Sequence, residues 1–523
     1  MPIVQQGSIN TTALVVPDLY VQIVPPQNLV LNGVPTDVVG VVGTAGWGPV
    51  GHPVIVATMA DYAYNFGPIV ARKYDMGTQV ATAVQQGAAN FRCVRVTDGT
   101  DTAAAFQVPN TTFVFTALYT GTLGNTINVA MSTGSKANTW RLTVTMPGYA
   151  PEVYDNIGGS GAAFWQALAS AVNNGQSPQR GPSRIVVANA GGTATTPVTF
   201  NWPFTSGATG SDGAGGVNAG TLVGADTLPR KGMYALRGQG CSIGVLADAD
   251  DPTQWTTQAQ FALQEGIYMV LTTPAGDTTS SAVFAKQSWG LDSYAVKLMF
   301  GDWIWWNDQV NGVLRLVSPQ GFAAGRLANL SPEQSSLNKP LYSIVGTQKS
   351  GAPGTGQATT YSSAELSVLL QAGIDVIANP QPAGSFWGVR GGHNASSNAA
   401  INGDNYTRMT NYIAATLAAG MGQYVGEVVN AALFRRIRAT QLSFLQNMLS
   451  QGMLGSLDGS LPFSVICDTS NNPLSRTGLG YVQSDAQVQY QAINEKFIVN
   501  IEGGQTVQVQ SQVLPTNPGA LAA

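Results

Sequence analysis

Short apolar runs that alternate with helical segments are the feature that most constrains the fold of this chain. Residues 38–43 read as a buried strand, and residues 77–89 place apolar side chains on one face of a helix. The alternation returns in 231–400, where a strand at 243–247 is followed by a helix at 258–266. This pattern indicates a mixed α/β (α+β) fold in both stretches.

The region between these two stretches has a different composition. Thr, Asn, Gly and Ala dominate residues 101–230, and charged residues nearly vanish there. Short strand-like runs separated by Gly-rich loops are typical of a mostly-β domain inserted into a larger one. We therefore predict a multi-domain chain with five parts, which are an N-terminal arm (1–26), a first core segment (27–100), the inserted domain (101–230), an α/β domain (231–400) and a C-terminal domain ending in a second arm (401–523).

Both ends of the chain carry strand-like pieces that we predict to be extended arms. Prolines interrupt the N-terminal pieces, which points to edge or isolated strands. The C-terminal pieces flank Gly503-Gly504 and fit either a hairpin or a strand followed by a detachable tail. The candidate contact residues are Val15, Val16, Tyr20, Val21, Ile23 and Val24 in the first arm, and Phe497, Val499, Ile501, Val507 and Val509 in the second.

Residues 403–452 are the most helical part of the sequence. Leu433, Ile437, Thr440, Phe444 and Met448 recur at helical spacing and predict a buried seam. A local basic cluster lies mostly off that seam. It is either a solvated helix face or a surface that docks onto acidic groups of another protein, for which the planar guanidinium is well suited. Its members are Arg435, Arg436 and Arg438.

The charge content is low for a chain of 523 residues. Charged residues make up 10%, against about 25% in ordinary soluble domains, which suggests a surface covered by other copies or partners. The net charge of −4 provides no basic field for direct nucleic acid binding. No apolar run reaches the length of about 18 residues that a membrane span needs, so we expect no membrane insertion.

The distribution of cysteines and the first residues of the sequence bear on the compartment. Cys93, Cys241 and Cys467 are far apart and odd in number, which favours buried free thiols in a reducing environment. The first residues lack the basic and apolar regions of a signal peptide. We expect assembly in a cytoplasm.

Glycine-rich and histidine-containing segments give little support to catalysis. Residues 40–46 lack the spacing of a dinucleotide-binding loop, and 354–357 lack the Lys-Ser/Thr of a phosphate-binding loop. The chain has two histidines, His52 and His393, each in a loop, where surface or hydrogen-bonding roles are more common than catalysis.

Acidic clusters are equally weak signals. Asp248, Asp250 and Asp251 lack the pattern of a calcium loop and fit a solvated loop or a helix cap. The tryptophans of 303–306 have an Asp on each side, as a glycosidase cleft requires, but they fit core packing better. We predict no enzyme activity, no cofactor and no metal.

Several ordered segments together resemble the contractile phage tail sheath family. Residues 40–50 are similar to its early GxxGxxxxGP stretch, 85–96 to the helix-to-strand step that follows, and 121–129 to the segment that opens its β insertion. Near the C-terminus, 463–468 and 488–501 are similar to its closing strands. A further family block is only faintly present in residues 317–325, so the middle of the chain is divergent.

The resemblance implies a structural subunit. Such subunits stack as six-fold rings around a tail tube, exchange strands through terminal arms, and contract to drive the tube through a host envelope for genome delivery. It implies donor arms at 15–24 and 506–510, an acceptor strand at 497–501, and a tube-facing helix within 427–450 that carries the three arginines. The implied partners are further copies, the tube, the baseplate and the terminator or neck proteins of a virion tail. A capsid or tube protein, and a secreted hydrolase or adhesin, stay open as alternatives.

Overall fold

The computed structural model describes residues 31–355, 358–501 and 503, together with the backbone of Ile3–Val4 and Val21–Gln22. Met1–Gln491 form one compact unit, and Ala492–Ala523 form a second unit that is considered by itself.

The described residues form 22 strands of two to six residues each. In chain order they are β1 (Ile3–Val4), β2 (Val21–Gln22), β3 (Val39–Gly43), β4 (Pro53–Val56), β5 (Phe91–Arg95), β6 (Ala105–Gln107), β7 (Val114–Ala117), β8 (Asn128–Thr133), β9 (Trp140–Thr145), β10 (Glu152–Ile157), β11 (Val186–Asn189), β12 (Phe200–Pro203), β13 (Ile243–Leu246), β14 (Tyr268–Thr272), β15 (Val296–Met299), β16 (Ile304–Asp308), β17 (Val313–Val317), β18 (Gly346–Thr347), β19 (Ile377–Ala378), β20 (Gly388–Val389), β21 (Phe463–Ile466) and β22 (Asp485–Val488).

The helices are concentrated in the parts of the chain that were predicted to be α/β or helical. They are α1 (Met59–Phe66), α2 (Met76–Gln85), α3 (Gly161–Asn174), α4 (Ala219–Val223), α5 (Trp255–Glu265), α6 (Thr279–Ser288), α7 (Gln320–Ala328), α8 (Ser363–Gln371), α9 (Asp404–Met421), α10 (Ala431–Ser450) and α11 (Leu474–Thr477). The prediction of a mixed α/β fold is confirmed.

A six-stranded sheet in the order β15-β14-β13-β3-β5-β4 forms the centre of the larger unit. All neighbouring strands are parallel except β4, which runs antiparallel to β5. Every side chain of β3, β13, β14 and β15 is buried, as expected of parallel strands covered on both faces. Because β3–β5 and β13–β15 share this sheet, the predicted segments 27–100 and 231–400 build one core between them.

Helices cover both faces of this sheet. Side chains of α5, α6 and α8 pack against one face, and those of α1, α2 and α7 pack against the other. Helices α2 and α7 approach so closely that a Cβ at Gly321 would lie 2.1 Å from Thr82 Oγ1. A Cβ at Gly325 would lie 2.5 Å from the Cα of Ala83. Glycine at these two positions therefore lets the helix backbones meet.

A β-rich unit lies between β5 and β13 in sequence and has its own core. Its two sheets have the orders β10-β9-β8-β12 and β11-β7-β6, and α3 packs with them around an aromatic cluster. Arg95, at the end of β5, is buried and donates hydrogen bonds of 2.7 Å to the carbonyl oxygens of Gly48 and Thr120. Burial lowers the pKa of Arg95 to about 10. Arg72 adds an ion pair to Asp212, so two arginines attach this unit to the central sheet.

A buried lysine connects the central sheet to the C-terminal helices. Lys297 of β15 is fully buried, and its Nζ lies 2.6 Å from Asp375 Oδ2 and 3.0 Å from Asp404 Oδ1. Asp404 is the first residue of α9 and also accepts a 2.6 Å hydrogen bond from the hydroxyl of Tyr268 on β14. Lys297 donates a further bond of 3.0 Å to the carbonyl oxygen of His393. We call Lys297, Asp375 and Asp404 the lysine cluster.

Both carboxylates of the lysine cluster are supplied with additional donors. Asp375 accepts hydrogen bonds from the backbone N–H groups of Gly391 and Gly392, each at 2.8 Å. Burial disfavours a charge on Lys297, but the two carboxylates outweigh it and raise its pKa. Burial also acts against ionised Asp404, whose pKa is nevertheless lowered by Lys297 and its hydrogen-bond donors. The cluster is therefore an ionised, hydrogen-bonded junction between sheet and helix.

Removing the lysine should cost much of the stability. In the variant Lys297→Met the two carboxylates stay buried without their cation, and a broken buried ion pair typically costs about 3–5 kcal/mol. We expect a loss of that size in the free energy of unfolding, measured by urea denaturation. Lys136→Met, at an exposed position, is the control and should change it by less than about 0.5 kcal/mol. Equal effects of the two substitutions would contradict the role of the cluster.

A second buried carboxylate starts helix α2. Asp75 is the N-cap of α2 and accepts hydrogen bonds from Thr78, 2.8 Å from its N–H and 2.7 Å from its hydroxyl. Burial raises the pKa of Asp75 to about 7, although the bonds from Thr78 act in the opposite direction. The folded protein therefore holds a proton on Asp75 at pH values where the unfolded chain has lost it.

This shift predicts a pH dependence of stability. Between the usual Asp value of 3.8 and the folded value of about 7, the folded state binds more protons than the unfolded state, so this group's contribution falls by about 1.4 kcal/mol per pH unit as the pH rises. Asp75→Asn keeps an acceptor for Thr78 and removes the titration. Its free energy of unfolding should fall less between pH 4 and 7 than that of the wild type. Thr196→Ala, an exposed substitution that removes no titrating group, should keep the wild-type slope. Parallel wild-type and Asp75→Asn curves would contradict the assignment.

Candidate intersubunit surfaces

Helix α10 presents the predicted arginine cluster on its exposed side. Asn430 caps the helix by accepting a 2.9 Å hydrogen bond from the N–H of Leu433. The predicted apolar seam is confirmed, because all five of its members are buried. The three arginines are exposed. They are Arg435, Arg436 and Arg438.

The three arginines have different surroundings. Arg436 forms an ion pair with Glu427 and lies 5.8 Å from the centre of the Tyr424 ring. Arg438 interacts electrostatically with Asp468, whose pKa is lowered first by hydrogen bonds from Ser470 and then by this arginine. In the part of the chain that the structure describes, Arg435 has no ion-pair partner. Arg435 and Arg438 are therefore more available to another molecule than Arg436.

Apolar side chains are exposed on the loop that leads into α10. Val425 is 85% and Val428 is 78% exposed, and they lie on either side of Glu427 in the sequence. Such an exposed mixture of apolar and charged groups is typical of a contact surface.

A two-stranded antiparallel sheet packs on α10. Its register pairs Phe463 with Val488 and Val465 with Ala486. Phe463 and Val465 are buried, whereas the intervening Ser464 is exposed, so one face of β21 rests on the helical core. Within the described residues, each strand pairs only with the other. The outer edges of β21 and β22 are therefore available for strand addition.

Sequence reasoning missed the strand β22. Ala486, Val488 and Tyr490 alternate with polar residues, and this period of two could have indicated a strand. The prediction instead put the acceptor strand at 497–501. The structure forms a sheet from Phe463–Ile466 and Asp485–Val488 and gives no strand to residues 489–501 of the single chain.

The candidate residues of the N-terminal arm are described only in part. The backbone of Val21 belongs to β2, which pairs in parallel with β1. The other five candidates lie outside the described residues, so their predicted role stays a prediction. They are Val15, Val16, Tyr20, Ile23 and Val24.

The second unit contains the C-terminal candidates. Phe497, Val499 and Ile501 are 82%, 61% and 87% exposed. Val507 and Val509 lie outside the described residues. The predicted intersubunit strand at 497–501 remains a prediction, since a strand formed between copies does not exist in one chain.

The histidines and aspartates that were considered for catalysis or ion binding can also be located in the structure. His52 is exposed in the loop before β4, and His393 contributes its backbone to the lysine cluster. The interpretation of Asp248 as part of a solvated loop was wrong, because it is buried and accepts a 2.8 Å hydrogen bond from Gln79. Asp251, by contrast, caps a short 3₁₀ helix as expected. Burial raises the pKa of Asp248.

The glycines near residues 40–46 serve packing. A Cβ at Gly43 would lie 2.9 Å from the backbone of Met76, so this residue lets the end of β3 touch the start of α2. Among the described residues, no group of three or more His, Cys, Asp or Glu side chains is arranged to hold a metal ion. No described helix has the length and apolar character needed to cross a membrane.

A cavity of about 400 Å³ lies beside the residues that follow β14 and β15, and its lining includes Asp302, Lys349 and Glu365. Asp302 accepts 2.8 Å hydrogen bonds from the Tyr361 hydroxyl and the Lys349 N–H. Glu365 forms a 2.6 Å ion pair with Lys349. These polar groups bind one another and join α8 to the sheet.

Comparisons of sequence identify no relatives. No family model matches the chain, and no curated protein matches it.

Comparisons of structure find contractile sheath proteins. A sheath tail protein from Desulfitobacterium hafniense is 14% identical, with a TM-score of 0.54 over 85% of this chain and 92% of that chain. One from Listeria innocua is 13% identical, with a TM-score of 0.58 over 84% and 90%. The sheath of an extracellular contractile injection system in its contracted state is 12% identical, with a TM-score of 0.53 over 95% and 99%. This chain therefore has the fold of the contractile tail sheath proteins.

Proposed function

We propose that this chain is the sheath subunit of a contractile tail, which polymerises around a tube and contracts to drive it through a host envelope. The observation that carries the proposal is the shared fold over 95% of this chain and 99% of an injection-system sheath subunit. A match of nearly the whole of both chains favours a common role more than a match of one domain would. The role is structural and not catalytic.

The acceptor for terminal arms is the sheet formed by β21 and β22. Both of its outer edges lack a strand partner within the described residues, while α10 supports one face. An added strand gains main-chain hydrogen bonds on such an edge, and its alternate side chains set the register. The donors are residues 15–24 and 506–510 of neighbouring copies. The expectation from the sequence that 497–501 also serves as an acceptor strand stays a prediction.

Strand exchange would explain how a sheath contracts without falling apart. Arms that hold neighbouring copies by backbone hydrogen bonds act as hinges, while the rigid bodies that they join rotate and repack. Stacked six-fold rings linked in this way keep their connections in both states. Contraction proceeds because the repacked bodies bury more surface.

The exposed side of α10 is the surface that faces the tube. Arg435 and Arg438 are available for charge-assisted hydrogen bonds to acidic groups, and Val425 and Val428 provide exposed apolar surface on the loop that precedes the helix. Baseplate and terminator proteins would complete the virion tail at its two ends. A baseplate of the anti-feeding prophage contains a chain that shares this fold with a TM-score of 0.50.

Removal of the N-terminal arm tests the proposal. A variant lacking residues 1–24 should fold, because the core clusters on both faces of the central sheet begin at Val38. It should fail to polymerise. Circular dichroism and urea denaturation check the fold, and negative-stain microscopy checks for tubes. The wild type at the same concentration is the control. Normal sheaths from the truncated chain would contradict strand exchange through this arm.

Charge reversal tests the tube-facing surface. Arg435→Glu with Arg438→Glu should reduce co-sedimentation with the tube protein at least tenfold, because two attractive contacts become repulsive. Polymerisation without the tube should be unaffected. Lys136→Glu, an exposed reversal in the β-rich unit, is the matched control and should bind the tube normally. Unchanged co-assembly of the double variant would remove these arginines from the interface.

A further inference from the structure

Two short described pieces of the N-terminal arm pair with each other in the single chain. Strands β1 and β2 form a parallel ladder in which Ile3 lies opposite Val21, and Val4 lies opposite Gln22. Strand β2 falls within the segment 15–24 that we propose as the donor for strand exchange. The ladder therefore uses backbone groups of β2, the strand that we propose to pair with another copy.

The ladder is too short to be a permanent part of the fold. It contains two residue pairs, and isolated two-stranded sheets are marginally stable in water even when they are longer. Parallel pairing is also slightly weaker per residue than antiparallel pairing. Since β1 and β2 form a sheet of their own, no third strand among the described residues reinforces them. The pair can therefore open readily.

We propose that β1 is a reversible latch that covers one edge of the donor strand in free subunits and delays polymerisation. The proposal rests on the proposed strand exchange and adds a regulatory element to it. An uncovered edge strand invites uncontrolled pairing between chains. A latched arm would exchange β1 for the larger sheet of β21 and β22 only where a neighbouring copy is correctly placed.

The latch has a thermodynamic signature. When only a fraction of subunits has an open arm, the apparent affinity for assembly is reduced by that fraction. Eliminating β1 should therefore make polymerisation easier, whereas eliminating the whole arm should abolish it. These opposite effects separate a latch from a simple donor strand.

Backbone and side-chain substitutions in β1 provide the test. Ile3→Pro with Val4→Pro removes the N–H groups of β1 while keeping the length of the chain. Ile3→Ala with Val4→Ala keeps those N–H groups and is the matched control. In turbidity and pelleting assays, the proline variant should polymerise with a shorter lag and a critical concentration that is lower by roughly two- to tenfold. The alanine variant should behave much more like the wild type.

Hydrogen exchange provides a readout that does not depend on polymerisation. The amides of Val21 and Gln22 in dilute free subunits should exchange faster in the proline variant than in the wild type. A proline variant that polymerises like the wild type, or more slowly, would overturn the latch. If the chain lacking residues 1–24 polymerises normally, strand exchange through this arm fails as well. A third outcome is that the chain lacking residues 1–24 fails to polymerise while the proline variant polymerises like the wild type. That outcome would support strand exchange and reject the latch.

Discussion

The lysine cluster is the interaction on which the arrangement of the larger unit depends. Lys297 lies on β15, while Asp404 begins α9, so one buried ammonium group connects the α/β core to the helical region. Buried charges tolerate little displacement, because separating them leaves an unpaired ion without water. The cluster therefore provides a junction between the central sheet and α9 that is specific in geometry and costly to break.

Several of the chain's few charged residues join its parts. Arg95 and Arg72 fasten the β-rich unit, Asp75 starts α2, and the lysine cluster positions α9. Since charged residues make up only 10% of the sequence, each one that is buried leaves the surface still poorer in charge. Such a surface loses little hydration free energy when copies pack together. Placing charges in internal ion pairs is therefore compatible with extensive packing between copies, because both leave few charges on the surface.

Local patterns were enough to predict much of the fold and less of the candidate surfaces. The apolar runs of β3 and β13 and the seam of α10 follow from periods that can be read directly, because burial there depends on neighbours in sequence. The lysine cluster could not be predicted, since Lys297 and Asp404 are separated by 107 positions and meet only in the folded chain. Asp248 was misassigned for the same reason, as its partner Gln79 is 169 positions away.

The C-terminal surfaces were harder to predict because a single chain does not complete them. Phe497, Val499 and Ile501 are apolar yet exposed, and β21 and β22 have open edges within the described residues. Open sheet edges and uncovered apolar segments are unfavourable in a monomer, and pairing with another chain covers them. If strands from other copies fill them, the free energy of folding and that of assembly are partly the same quantity. The weak pairing of β1 with β2 corresponds to this at the N-terminal end of the chain. There, under the latch proposal, β2 pairs with β1 until it pairs with the sheet of another copy.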